Sequence, residues 1–470
     1  MSEARPFDVA IVGGGFTGAA VAYHLSRYRP GASVAVFEPR SFLGGGLAYD
    51  DWDPAHRINV PASRMSLVPG DDTHFARWLS ATQAGRGDEA ITGRDGALYP
   101  ARAVFGRYVA AHIDPLVSAG HVAHIRDRVE EISYSGDRWT LATENGTTVR
   151  AEIVVLATTH PSPDPPKPLA PIASDPRVIA DALLPGALNQ IAPQERVVIL
   201  GTGLTMADVV ASLDRLGHLG PLVAISRRGL RSRGHSKIAS DPFGDFTMPP
   251  ARASRFLRQI RQTIGEAADS GLSWHGVIDA VRAQAQTFWP TLSPDAQSAI
   301  VRHLRVYWDV HRFRIAPQVE DVLDRKLADG SLAILSASLL DARKDLDALT
   351  LSVRRRARHE VATLSADRVI VTTGPAHAKI LSTHPYLGAL KAAGYVIADH
   401  LGLGIACDGE SRAIGRKGGV VPTLFIAGPL ARARFGELMG LPQVSEHARR
   451  VAETVSNALA AAARDVAEVS

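Results

Sequence analysis

Short apolar runs that end in glycine alternate with helically spaced stretches along much of this chain. Asp8–Val12 reads DVAIV, apolar at every position after the aspartate, which predicts a strand covered on both faces. Gly13-Gly14-Gly15-Phe16-Thr17-Gly18 follows, then AAVAYHLSRY with helical spacing, then a second strand, SVAVFE, closing at Glu38. The order recurs at Arg196–Leu200. There Gly201-Thr202-Gly203-Leu204-Thr205-Met206 leads into the helix MADVVASLDRLG and the strand PLVAIS, closing at Ser226. Between the two units, Ala151–Thr159 predicts a buried strand entering a crossover. Pro161–Pro171, with six prolines, predicts a linker. ADRVIVTTGP mirrors that strand later, Thr423–Gly428 supplies another, and the stretch from Val444 has helical periodicity.

Strand, GxGxxG and helix in that order suit a dinucleotide. Gly13 makes the tight turn, Gly15 lets the backbone approach a pyrophosphate, and Gly18 lets helix and strand pack closely. The backbone N–H groups of Phe16 and Thr17 open a helix that faces the phosphates. Glu38, 25 residues after Gly13, accepts from ribose hydroxyls and repels a 2′-phosphate, so FAD or NAD fits and NADP does not. A glycine-rich turn without ligand is the plain alternative.

In the second unit Met206 replaces the third glycine, which weakens that motif taken alone. Gly201, Gly203, Leu204 and Thr205 remain its phosphate-facing candidates. Ser226 stands where the first unit has Glu38, followed by Arg227 and Arg228. Losing the acid and gaining two guanidinium groups favours NADPH over NADH; a solvated basic loop is the alternative. The two motifs start 188 residues apart, too far for the halves of one dinucleotide fold.

Composition removes several chemistries. The chain has 470 residues, 46% hydrophobic and 21% charged, as in an ordinary globular protein of two or three domains. Its 52 basic and 48 acidic residues leave a net charge of +4, too small an excess to signal a nucleic-acid partner. The single cysteine, Cys407, excludes a dithiol redox centre and cysteine-rich metal sites, and no metal site is expected. No apolar run approaches a membrane span and the N-terminus is polar, so the expectation is a cytoplasmic protein with no membrane partner.

Several segments together match a known family. They are Gly13–Gly18, Gly44–Tyr49 (GGGLAY), His56–Ala62 (HRINVPA) with Arg64–Ser66, Phe105–Tyr108, Gly201–Val210, Ser226–Leu230, Trp308–Pro317 and Thr373–Pro375. In this order the chain resembles bacterial FAD/NAD(P)-binding proteins, similar in plan to flavin-containing and N-hydroxylating monooxygenases and to a flavin-dependent urate hydroxylase. The resemblance implies an α/β flavoprotein with two Rossmann-like dinucleotide-binding domains, the NAD(P) domain inserted into the FAD domain and carrying a helical insertion near residues 251–316. It implies an FAD domain over 1–185 and 360–470, and an NAD(P)H domain over 190–355. It adds Ala48, Val129 (past the adenine) and Thr158 to the FAD-binding candidates. One departure matters: many such proteins end in a Gly-Asp that contacts the ribityl chain, and here Gly428 is followed by Pro429. Gly428 stays a candidate; the aspartate's role is not transferred.

The implied activity is reduction of FAD by NADPH followed by hydroxylation of a small molecule. The alternatives are a flavin reductase or dehydrogenase without oxygen insertion, and a non-catalytic flavin-binding redox sensor. Asn59, His311 and Arg314 are the catalytic candidates, with His235 as a further contact for nicotinamide or phosphate. Each has a plain alternative: Asn59 satisfying loop backbone, His235 solvated, and Asp309 with Arg312 as an ordinary surface pair at helical spacing. The oligomeric state is open.

Overall fold

The computed structural model describes residues 6–50, 53–238, 241–250, 252–357 and 359–469. Uniformly apolar strands need cover on both faces, and here they pair in parallel under helices. β1 (Phe7–Val12) lies between β2 (Val34–Phe37) and β6 (Thr148–Leu156), with Ile11 opposite Val36 on one side and Val155 on the other. β3 (Val122–Ile125) extends the sheet beyond β2, and the hairpin of β4 (Val129–Ser135) and β5 (Arg138–Thr143) joins it through β6.

The second sheet contains β7 (Val178–Ile179), β8 (Val197–Leu200), β9 (Leu222–Ser226), β10 (Leu332–Lys344), β11 (Leu349–Arg355), β12 (Val361–Ala366) and β13 (Arg368–Val371). Their spatial order is β12-β11-β10-β9-β8-β13-β7. The chain then returns to the first sheet as β14 (Arg412–Ile414) and β15 (Val420–Ile426), β15 running parallel to β6. The C-terminal helix Gln443–Val469 packs against the first helix, Phe16–Tyr28.

Two sequence boundaries move. β13, expected in the returning first unit over 360–470, pairs instead with β8 and β7. β7, inside the expected 1–185, likewise belongs to the second sheet. The reason lies in the glycine turns. At Gly13 (φ +100°) a Cβ would lie 2.7 Å from the Ala157 carbonyl oxygen, just past β6. At Gly201 (φ +127°) it would lie 2.5 Å from the Thr372 oxygen, just past β13. β13 is thus to the second unit what β6 is to the first, a strand passing beneath the turn, so each unit needs its own. The third motif position differs between them. A Cβ on Gly18 would overlap the Gly13 carbonyl, whereas Met206 is fully buried and packs its helix by side chain.

The helical insertion lies between β9 and β10. Its helices are Ala253–Asp269, Trp274–Phe288, Pro294–His303 and Arg305–Arg312, followed by Pro317–Ala328. Ser293 caps the third, accepting from the Ala296 N–H at 3.2 Å with Pro294 at the first helical position. These helices bury a core of their own around Phe246, Phe256, Val281 and Phe288. The expected start of the insertion, Ala251, lies outside the described residues, as does the Met1–Arg5 terminus.

Among the described residues no helix is long and apolar enough to cross a membrane. Gly18→Ala is expected to cost about 3 kcal/mol or more, because its Cβ meets backbone that cannot swing away. Gly203→Ala, whose Cβ would enter open space, is expected to cost under about 1 kcal/mol. Urea unfolding midpoints of the two variants measure the contrast, and equal shifts would contradict it.

Candidate functional site

Both glycine turns sit at the carboxyl ends of their central strands, where open α/β sheets bind ligands. The helix Phe16–Tyr28 starts from Gly15 with no side-chain cap and no acidic residue in its first turn. The helix Leu204–Arg215 starts from Gly203 in the same way. Both therefore present uncapped N–H groups and the positive end of the helix dipole, which suits phosphate. A Cβ on Gly203 would meet nothing within 4 Å, and one on Gly15 would meet only Gly46. Thr205 follows Leu204 in the second helix's first turn and is partly exposed. The Phe16 ring is packed against Tyr49 and Phe105, leaving its backbone for a ligand. Thr17 touches the Gly428 turn, whose N–H donates to His447 Nδ1 at 3.1 Å.

The strand ends carry opposite electrostatic signatures. Glu38 is buried and accepts from the Gly14 N–H at 3.2 Å and from Arg40 Nη1 at 3.0 Å. At the same place in the second unit, Ser226 Oγ lies 2.8 Å from Thr202 Oγ1 and accepts from the Gly229 N–H at 3.0 Å. A neutral pair thus ties the second turn to its strand where a carboxylate ties the first. Arg227 is exposed and Arg228 lies over the Tyr307 ring at 4.8 Å. The remaining FAD candidates are scattered. Ala48 is exposed, Val129 is buried opposite Thr143, and Thr158 Oγ1 is hydrogen-bonded with the Tyr386 hydroxyl at 2.7 Å.

A seam joins the units. Arg102 holds Asp208 through two bonds of 3.0 and 2.8 Å, and His56 Nε2 lies 2.9 Å from Ser212 Oγ. His235 Nε2 donates to the Asn59 carbonyl at 2.9 Å, and its ring lies 5.4 Å from that of Tyr99. His235 is not solvated: burial pushes it down to about 4. The Asn59 side-chain amide makes no hydrogen bond among the described residues, so its donors and acceptor are free for a ligand.

The inserted helices and the returning chain enclose a cavity of about 430 Å³. Phe256, Ile260, Trp274, Ile278 and Trp308 form its apolar walls; Arg305, Arg432, Glu437 and the exposed Arg261 supply its charge. His311 lines it, with Nδ1 2.7 Å from the Tyr307 carbonyl. Arg314 lies outside its lining and holds Asp279 through bonds of 3.1 and 2.9 Å. Asp309 and Arg312 are not a surface pair. Arg312, 6% exposed, pairs with Glu437 at 2.7 Å, and Asp309 pairs with Arg305 at 3.3 Å. The segment Arg432–Glu437 covers this helix, and nothing in the local spacing announces a partner so far along the chain.

Arg432, Glu437, His160 and His377 are functional candidates that the sequence did not single out. A signal existed for the first two: charges inside the small-residue stretch that follows Gly428. His160 and His377 sit on the two crossings between units, their rings edge to face at 4.2 Å. Burial pushes them down to about 4 and about 3, with Arg305 and Arg432 adding to both shifts. Cys407 is buried and its thiol is pushed up to about 12, which makes it inert. Among the described residues no group of three or more His, Cys, Asp or Glu is arranged to hold a metal ion.

Residues 10–161 match a family model described as FAD-NAD(P)-binding. No curated protein matches the chain by sequence. Similar solved structures include ornithine hydroxylase from Pseudomonas aeruginosa, 16% identical, with 97% of this chain and 100% of that one covered and a TM-score of 0.65. Another is the ornithine N-hydroxylase of Kutzneria sp. 744 with reduced FAD, NADP⁺ and L-ornithine, 18% identical, covering 96% and 99%, TM-score 0.62. A third is L-lysine 6-monooxygenase from Pseudomonas syringae, 16% identical, covering 96% and 99%, TM-score 0.63. At these identities the likeness is one of fold, and it is the two-unit plan that the sequence resemblance implied.

The buried histidines set an acid limit. In the folded chain His160, His235, His377 and His447 take up protons well below their ordinary value of 6.5, so the unfolded chain binds protons first as pH falls. Their contribution is complete above about pH 6.5 and is lost as pH falls from there to about 4 for His160 and His235 and to about 3 for His377 and His447. Urea midpoints are expected to fall steeply across that window, and His235→Gln is expected to flatten the slope. A midpoint constant from pH 7 to 4.5 would contradict this.

Proposed function

We propose that this chain is an NADPH-dependent flavin monooxygenase acting on a small molecule, with FAD at the first glycine turn and NADPH at the second. The observation that carries the reading is the pair of uncapped helix N-termini with opposite neighbours, Glu38 at one and Ser226 with Arg227 and Arg228 at the other. The shared fold of amino-acid N-hydroxylating enzymes supports it. The residues present fit both nucleotides: open space at Gly203 and a turn at Gly15 bounded only by Gly46 leave room for backbone to approach a pyrophosphate.

FAD would be held by the N–H groups of Gly15–Gly18, by Glu38 at a ribose, and by the segments at Ala48, Thr158 and Gly428. With the Gly428 N–H already given to His447, its carbonyl is what remains for the ligand. NADPH would be held by Gly203–Thr205, with Arg227 and Arg228 on the 2′-phosphate. Bound together, the two nucleotides supply hydride transfer and oxygen activation. The chain supplies position and dryness. Asn59 offers a free amide at the seam. His235, neutral and hydrogen-bonded to the Asn59 carbonyl, fixes that segment. The apolar walls around His311 would shield a bound substrate from much of the solvent. With its one thiol inert, no dithiol relay competes for electrons.

The deciding experiment mixes the purified yellow protein with NADPH without oxygen, then admits oxygen together with candidate substrates. Rapid bleaching of the visible flavin absorbance, followed by hydroxylated product in step with NADPH consumed, is expected. Bleaching with electrons passing only to a dye would make the protein a reductase, and no bleaching would remove the NADPH assignment. Replacing both Arg227 and Arg228 with Ala is expected to raise KM for NADPH by about ten- to a hundredfold, the loss of a charge-assisted contact, with little effect on KM for NADH. Equal effects on the two donors would place the arginines elsewhere.

A further inference from the structure

The polar part of the cavity carries an imbalance that the rest of the molecule does not resolve. Three buried or half-buried guanidinium groups, Arg305, Arg312 and Arg432, stand with two carboxylates, Asp309 and Glu437. Each carboxylate has its own partner: Asp309 pairs with Arg305, and Glu437 with Arg312. Trp308 Nε1 adds a further donor 3.4 Å from Glu437. Arg432 is left over. It lines the cavity, is 6% exposed and forms no ion pair among the described residues, although Asp309 and Glu437 act on it through space; its Nη1 has no hydrogen-bond partner, as is also true of Arg312 Nε and Nη2, Asp309 Oδ1 and Glu437 Oε1 among the described residues. A buried guanidinium without an anion costs folding free energy, so a group retained in that state awaits a ligand that completes it. The rest of the lining is mostly apolar and includes Trp274, Trp289 and Trp308, with the exposed Arg261 adding to the positive charge.

Building on the monooxygenase reading, we propose that this cavity is the substrate site and takes a ring-bearing or branched apolar molecule ending in a carboxylate, with that carboxylate on Arg432. An amine is the wrong ligand here. Its ammonium would meet a surplus of positive charge, and the one carboxylate lining the cavity is already held by Arg312. The position suits a substrate. Arg432 lies four residues beyond Gly428, which touches Thr17 at the start of the first nucleotide helix, and Trp289 Nε1 anchors the chain just past Arg432 by donating to the Ala433 carbonyl at 2.8 Å.

The test titrates FAD-loaded protein, without NADPH, with phenylbutyrate, phenylbutylamine and phenylbutanol, and reads tryptophan fluorescence. The acid is expected to bind saturably and tightest, the alcohol more weakly, and the amine weakest. Arg432→Met is expected to weaken the acid at least about tenfold and the alcohol little, the signature of one lost charge-assisted contact. Ile260→Trp, which fills the apolar end, is expected to weaken acid and alcohol alike. An unchanged flavin spectrum certifies the fold of each variant. Should Arg432→Met fail to fold, the ranking of the three probes on the unaltered protein still decides. The proposal falls if the amine matches the acid, if the acid does not bind, if Arg432→Met leaves its affinity unchanged, or if that variant releases FAD, which would assign Arg432 to the flavin. Because no NADPH enters the titration, a failure here is separate from a failure of flavin reduction by NADPH. Acid binding to a protein that NADPH never bleaches would keep the site and remove the activity.

Discussion

Each half of this molecule is organised by a backbone crossing. A strand passes directly beneath a glycine turn, so close that no side chain fits between the turn and the carbonyl that follows the strand. Ala157 plays this part under Gly13, and Thr372 under Gly201. The turn in turn starts a helix whose first N–H groups receive no side-chain cap among the described residues. In the proposed reading, anion binding at both places would follow from how the backbone is packed, and the side chains around each turn would only choose which nucleotide is favoured. Glu38 at one and Ser226 at the other are where that choice is written.

The same crossings explain how two units come to work as one. Chain segments leave the first sheet after β6 and return after β13, and the rings of His160 and His377 meet edge to face where those segments run side by side. The excursion carrying His56, Asn59 and Arg102 docks on the second unit through Ser212, His235 and Asp208. These contacts are buried or half-buried and polar, so they fix orientation more than they add stability. A hydride donor and acceptor bound at two turns need such fixed orientation.

The inserted helices add something the nucleotide plan does not contain. They carry their own apolar core, and together with the segment after Gly428 they line a cavity whose charged groups are more basic than acidic. In a site of low polarity a single uncompensated guanidinium sets the preferred sign of a ligand more strongly than any surface charge does. Selectivity for charge would then reside in Arg432, and selectivity for shape in Phe256, Ile260 and the tryptophans.

Periodicity and glycine spacing by themselves determined the α/β class, both βαβ units, the buried strand that runs from 151 to 156, and the contrast between Glu38 and Ser226-Arg227-Arg228. These are local properties: a strand, turn and helix within about 30 residues, read from neighbours in the chain. The sheet to which ADRVIVTTGP belongs was not legible, because β6 and β13 are alike in sequence and differ only in which turn they pass beneath. Nor were the true partners of Asp309 and Arg312. Helical spacing offered each to the other, and the covering segment at 432–437 took Arg312 for Glu437 instead. The sequence left His235 open between a ligand contact and a solvated side chain until the first unit closed over it, and Arg432 was one basic residue among many until a cavity formed around it. Burial and ion pairing depend on contacts between distant segments, and only the tertiary structure brings those segments together.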